Sequence, residues 1–206
     1  MSEMILIGRN LSPFVRRVAV TLKLLDLPFE QKPLSTATDA KEICAFNPLS
    51  RVPALVLESG ETLIDSAAIL DHIDETVGPG RALVPSFGPE RRKVLRLLAL
   101  ATGSMEKSVA AFYEKSRRPQ ETVYKPTLDR LEEQAVAGFA AIENECESPW
   151  LALGRLTQAD ITAAVGLEFL RVVAPHLLEA TPLPRLCELA ARLDQLPAFA
   201  STRPNI

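Results

Sequence analysis

The chain has 206 residues, 47% hydrophobic and 24% charged, with a formal net charge of −3. That length and balance suit a globular protein with ample core in one large or two small domains. No long run of one charge sign occurs, so neither nucleic acid nor an anionic membrane is expected as a partner. No apolar stretch reaches the roughly 18 residues of a transmembrane helix. The opening MSEMILIGRN carries an acidic residue and too short an apolar run for a signal peptide, so a cytoplasmic location is expected. Cys44, Cys146 and Cys187 are widely spaced, form no C-x-x-C pair and do not cluster with His72 or His176. Reduced thiols are expected, with no disulfide and no metal site.

In chain order, MILI at 4–7 suits a short strand buried on both faces. After NLSP, Val15, Val18, Ala19, Leu22 and Leu25 are spaced for one face of a helix. Ser12-Pro13 starts that helix, with Ser as N-cap and Pro at the first helical position, and Asp26 to Pro28 ends it. Residues 28–34, PFEQKPL, suit a second strand at a sheet edge, where its prolines are tolerated. The polar segment 35–47 has a weak helical pattern through Ile43 and Phe46. ALVL at 54–57 and ETLI at 61–64, joined through Ser59-Gly60, form a hairpin. Asp65-Ser66 opens a helix through Ile69, Leu70, Ile73 and Val77 that stops at Gly78. The order βαβ then ββα predicts a mixed four-stranded sheet, its first two strands parallel, with helices on both faces.

Residues 78–89, GPGRALVPSFGP, contain three Gly and three Pro, a linker composition. The remainder reads as helix. One stripe runs through Val94, Leu97, Leu98, Ala101 and Met105 to Phe112. A second takes Leu128, Leu131, Ala135, Phe139 and Ile142. A third covers Ile161 to Phe169, and a fourth runs from Leu186 to Leu193 and stops near Pro197. The expected domains are an α/β domain at 1–78, a linker at 79–88 and an all-helical domain at 89–206.

Three local features carry chemistry. RVP at 51–53 puts a proline at a strand entrance, where it cannot supply a ladder N–H; a trans bond there or a cis Val52–Pro53 bond both answer that constraint. Asp65-Ser66 is either a plain helix cap or a cap that also grips an α-amino-acid head. In the second reading the helix N-terminus and the Ser hydroxyl take the carboxylate and Asp65 takes the ammonium. Ser12 is either a plain N-cap or a hydroxyl donor to a ligand thiol, at a helix N-terminus that lowers a thiol pKa from about 8.5.

Together these features resemble the glutathione transferase superfamily. The resemblance is strongest in SPFVRRVAVTLKLLDLPFE and NPLSRVPALVLESGETLIDSAAILDHID, and continues in LTQADITAA, a capping box at Thr157 and Asp160, and in LPAFASTRP near the C-terminus. It implies a thioredoxin-like first domain, a helical second domain and a homodimer that uses glutathione as co-substrate and no metal. It implies a cis bond before Pro53, with the Val52 main chain pairing with the cysteinyl backbone of glutathione, and Asp65 and Ser66 binding the γ-glutamyl head. Arg51 matches a position near the ligand backbone; Lys41 and Thr38 lie where the glycyl carboxylate is contacted. Ser12 matches the activating Ser of the Ser-type classes, with Asn10 a second candidate. No Cys stands at this turn and no Tyr precedes it, so Cys-type and Tyr-type chemistry are not expected.

The second substrate is expected between the domains, against Phe14, Ser108, Phe112, Tyr113 and Ser116, with Ser104 and Met105 also on that helix. Of Arg16 and Arg17, one is expected to pair with an acidic residue and the other to face solvent. The implied activity is conjugation of the glutathione thiolate to small hydrophobic electrophiles. A glutathione-dependent isomerase or dehalogenase, with Arg16 or Arg117 holding a substrate carboxylate, is the enzymatic alternative. A non-catalytic glutathione-binding protein of the same fold is the other.

Overall fold

The computed structural model describes residues 3–147 and 149–204. The chain divides into two compact units. One runs to Ser86 and includes the segment from Asp194 onward; the other is Phe87–Leu193.

The first unit contains β1 (Met4–Ile7), α1 (Pro13–Leu24), β2 (Phe29–Lys32), α2 (Ala40–Ile43), β3 (Ala54–Val56), β4 (Thr62–Ile64), α3 (Ser66–Val77) and, far along the chain, α9 (Pro197–Ala200). The sheet order is β2-β1-β3-β4, with β1 and β2 parallel and β3 antiparallel to both β1 and β4. This is the mixed four-stranded sheet expected from the sequence, with β2 at an edge.

Alternation along the strands divides the core. Ile5, Ile7 and Ala54 meet Ile43, Phe46, Leu34 and Val52 on one face. Leu6 and Leu55, also fully buried, point to the other face, on the side of α1 and α3. The weak pattern at 35–47 yields only the four-residue α2, but that is enough to seat Ile43.

Residues Asp194 to Pro204 group with the sheet unit. Arg16 is 1% exposed and its Nε donates to the Thr202 carbonyl at 3.0 Å, its Nη2 to the Phe199 carbonyl at 3.4 Å. The guanidinium also lies 5.9 Å from the Phe199 ring centroid. These bonds hold α9 against α1. Pro197, expected to end a helix, instead begins α9 at a first-turn position where its missing N–H costs nothing.

The second unit holds α4 (Gly88–Ser116), a single 3-10 turn (Gln120–Thr122), α5 (Lys125–Glu145), α6 (Gln158–Val173), α7 (Pro175–Ala180) and α8 (Pro184–Leu193). The four sequence stripes fall on α4, α5, α6 and α8; α7, one and a half turns opened by Pro175, has no stripe of its own. A Cβ on Gly138 of α5 would lie 2.0 Å from Ser104 Oγ of α4, and one on Gly166 of α6 would lie 2.7 Å from Met105 Cγ. Missing side chains at these two positions let α5 and α6 close on α4.

Helix α6 starts at a fully buried capping pair. Thr157 donates from its N–H at 2.8 Å and its Oγ at 2.6 Å to Asp160 Oδ2, while Leu151 N–H donates to Oδ1 at 2.8 Å. Burial pushes the Asp160 carboxyl above the usual carboxylate range, against these donors, which pull it down.

Candidate functional site

Strand register gathers the chemistry-bearing residues of the sheet unit at one end. Ile7 pairs with Ala54, and Ala54 with Ile64. The residues just beyond, Gly8 after β1, Pro53 before β3 and Asp65 after β4, therefore lie side by side at that end. Adjacent strands are about 4.8 Å apart, so the line from the β1 end to the β4 end spans roughly 10 Å. Helix α1 starts close to the first of these ends and α3 at the last.

Gly8 brings the first two together. Its φ is +124°, and a Cβ there would lie 2.5 Å from Val15 Cγ2 and 2.9 Å from Val52 Cβ. Only glycine lets the chain pass between the first turn of α1 and Val52. The Val52–Pro53 bond is cis, as the resemblance implied. Among the described residues, no hydrogen bond takes the Val52 N–H or C=O.

The preceding loop is held rigid from inside. Asn47, 3% exposed, donates from Nδ2 to the Arg51 carbonyl at 3.0 Å and accepts from Leu49 N–H at 3.0 Å. Arg51 and, on α2, Lys41 are exposed, with their charged groups available at the surface.

At the start of α1, Ser12 has an extended backbone (φ −70°, ψ 119°), and its Oγ accepts from Val15 N–H at 3.4 Å. That cap uses an oxygen lone pair and leaves the hydroxyl proton to donate. Asn10 lies nearby, its Oδ1 held by Gln31 Nε2 at 2.8 Å; the same Nε2 donates to the Gly8 carbonyl at 2.8 Å. With its oxygen taken, the Asn10 amide offers its NH2. Phe14 is half-buried in the first turn of α1.

At the start of α3, Asp65 has φ 68° and ψ 132°, a strained conformation for a non-glycine residue, and its Oδ1 caps Ala67 N–H at 2.8 Å. The residue as a whole is exposed. Ser66 is 3% exposed, and its Oγ accepts from Arg17 Nη2 at 2.8 Å. Arg17 is itself 3% exposed, so neither arginine of the Arg16–Arg17 pair faces solvent. That corrects the expectation from sequence. Charge alone marks both as surface residues, whereas main-chain carbonyls receive Arg16 and a hydroxyl receives Arg17 inside the fold.

The residues expected to line a second-substrate pocket lie apart in character. In the helical unit Ser108 is 2% exposed, its Oγ donating to the Ser104 carbonyl at 2.8 Å, and Met105 is fully buried, so both serve helix packing. Phe112 is half-buried and meets Phe169 edge-on at 6.2 Å. Tyr113 is half-buried, with the Arg117 guanidinium 3.6 Å from its ring centroid, and Ser116 is exposed at the end of α4. Gly8, Gln31 and Asn47 were not singled out from sequence. A glycine directly after a strand was the visible signal for Gly8; the roles of the other two depend on tertiary contacts.

Among the described residues no group of three His, Cys, Asp or Glu side chains is placed to hold a metal ion, and no helix is long and apolar enough to cross a membrane.

Residues 6–81 match the family described as Glutathione S-transferase, N-terminal domain, and residues 125–200 match Glutathione S-transferase, C-terminal domain. The chain is 30% identical over 201 residues to the uncharacterised GST-like protein YibF of Escherichia coli K12, covering 97% of this chain and 98% of that protein. It is 37% identical over 100 residues to the maleylacetoacetate isomerase of Pseudomonas aeruginosa, a match that covers 46% of this chain and 45% of that one. The crystal structure of a glutathione S-transferase from Methylobacterium radiotolerans, in complex with glutathione sulfonate, superposes with TM-score 0.91 at 28% identity, over 100% of this chain and 96% of that one.

Proposed function

The chain belongs to the glutathione S-transferase superfamily, and from that premise we propose that it binds glutathione across one end of its sheet and transfers the thiolate to small hydrophobic electrophiles. The observation that carries this reading is the open main chain of Val52, set by Gly8 against the first turn of α1 and in line with the start of α3. An extended tripeptide covers about 10 Å, roughly the span from the β1 end to the β4 end. Its cysteinyl backbone pairs with Val52 as an added strand. Its γ-glutamyl carboxylate takes the α3 N–H groups and the Ser66 hydroxyl, its ammonium takes Asp65, and its glycyl end reaches Lys41 and Arg51.

The sulfur then lies beside the start of α1. The partial positive charge of the helix and the Ser12 hydroxyl both favour the thiolate, whose proton leaves to solvent. Asn10 offers a second donor. Catalysis comes from that stabilisation and from holding the nucleophile at the electrophile. Within the helical unit, Phe112, Tyr113 and Ser116 are the residues proposed to receive the electrophile.

Removal of the Ser12 hydroxyl tests this directly. In Ser12→Ala, conjugation of a chlorinated aromatic is expected to slow about thirtyfold, a loss of about 2 kcal/mol of thiolate stabilisation, and the acid limb of its pH–rate profile moves to higher pH. An unmoved profile removes Ser12 from thiolate stabilisation and transfers that role to Asn10.

A second reading, glutathione-dependent isomerisation, is favoured by the match to the Pseudomonas aeruginosa isomerase. There the thiolate adds to an unsaturated diacid and later leaves. Arg16 is withdrawn from that reading because its guanidinium serves the α9 carbonyls; Arg117 remains as the carboxylate-holding group. Turnover of small unsaturated diacids but not of chlorinated aromatics would establish it.

A homodimer is proposed as well. Leu49 and Ile64 of the sheet unit are 66% and 37% exposed, and Phe87 and Leu95 of the helical unit 85% and 40%. Large apolar side chains left open on each unit suit coverage by a second copy. Gel filtration at twice the monomer mass is the expected result. A cytoplasmic location, where reduced glutathione is abundant, completes the proposal.

A further inference from the structure

Among the buried polar side chains of the sheet unit, Arg17 on α1 and Ser66 at the start of α3 are joined by an Nη2–H···Oγ bond of 2.8 Å across 49 residues of sequence. An arginine has only donors, so the Ser66 oxygen is necessarily the acceptor. A hydroxyl carries one proton, and a lone pair occupied by a cation leaves that proton directed away from the guanidinium. The cationic donor also polarises the O–H, which strengthens whatever hydrogen bond it makes on its far side. Ser66 is the first residue of α3, in the turn whose N–H groups have no partner within the helix. A second contact places the same guanidinium 6.0 Å from the ring centroid of Phe14, two residues beyond Ser12.

We propose that Arg17 is a positioning residue for the γ-glutamyl carboxylate: it fixes the Ser66 hydroxyl as an outward donor and sets a buried positive charge behind the α3 terminus. The inference rests on the glutathione-binding reading above and adds to it a residue that never touches the ligand. It also ties the two ends of the site into one rigid part. Helix α1 presents Ser12 to the sulfur at its first turn and, five residues later, Arg17 to the group that receives the amino-acid head.

The effect is specific to one ligand group, and that separates it from a general structural role. The probes are reduced glutathione and its analogue 4-aminobutyryl-cysteinyl-glycine, which keeps the thiol, the peptide backbone and the ammonium but lacks the γ-glutamyl carboxylate. Calorimetric titration of the full chain is expected to show Arg17→Met weakening glutathione about tenfold and the analogue less than about twofold. Arg17→Lys keeps the charge without the planar fork and weakens glutathione about threefold, again sparing the analogue. Should Arg17→Met fail to fold, Arg17→Lys alone decides by the same selectivity. Equal losses for both ligands, or no loss for either, overturn the positioning role while leaving glutathione binding intact. No uptake of glutathione by the unaltered chain overturns the binding reading itself, and this inference with it.

Discussion

Helix α6 in the helical unit and helix α3 in the sheet unit begin in opposite ways. At α6 the carboxylate that answers the helix N-terminus is built into the chain: Asp160 folds back, fully buried, onto Thr157 and Leu151. At α3 the local acid, Asp65, caps Ala67 but stands exposed in a strained conformation, and the buried Ser66 is backed by a cation, not an acid. The same physics, a helix start that favours an anion, closes one site with the protein's own carboxylate and, in the proposed reading, leaves the other to receive a carboxylate from outside. The first arrangement serves stability; the second is proposed to serve binding.

The comparison breaks first at α6. Asp160→Ala strands the buried N–H groups of Leu151 and Thr157 and is expected to cost about 4 kcal/mol of stability, read by urea or thermal unfolding. The folded fraction keeps its glutathione affinity. A loss of affinity with little loss of stability would show that the two helix starts do not divide their roles in this way.

At the sheet end the next largest effect comes from Gly8→Ala. The added Cβ meets Val15 and Val52 in a backbone conformation that side chains avoid, at a cost of about 3 kcal/mol. Because Val52 must give way, glutathione binding is expected to fall at least about tenfold, a coupling of stability to affinity that Asp160→Ala lacks. Ser66→Ala sharpens the contrast from the other side. It removes the donor at α3 and costs about tenfold in glutathione affinity, with about 1 kcal/mol of stability as Arg17 loses an acceptor.

The smallest effect is in pH. The Asp160 carboxyl is held above the usual range by burial, so the folded chain binds that proton more tightly than the unfolded chain does. The resulting stability is present below the unfolded value of about 3.9 and is lost as pH rises through the folded one. The unfolding difference between the unaltered chain and Asp160→Ala is therefore expected to be larger near about pH 4 than near about pH 7. No such trend is expected for Ser66→Ala.

Periodicity and punctuation made most of the fold legible in the sequence. The stripes of α1, α3, α4, α5, α6 and α8, the hairpin at Ser59-Gly60 and the edge placement of β2 all follow from residue spacing. The elements that escaped were short. Helices α7 and α9 are too brief for a stripe, and α9 is held by Arg16 bonds that span most of the chain. No local pattern announces that the chain returns to the sheet unit after Asp194.

The site divides similarly. Ser12, Val52, Asp65 and Ser66 stood out because turn, proline and cap residues mark themselves locally. Arg17 was noted only as one of an arginine pair, since its burial and the hydroxyl that receives it depend on a contact 49 residues away. Gly8 carried a visible signal, a glycine directly after a strand, but its reason is the approach of Val52 from a distant loop.

Titration of the unaltered chain with reduced glutathione in a calorimeter tests the central claim most directly. Saturable uptake of one tripeptide per chain with Kd below about 1 mM is expected. No binding heat at about 10 mM, ten times that limit, would contradict it and leave the open Val52 main chain without a ligand.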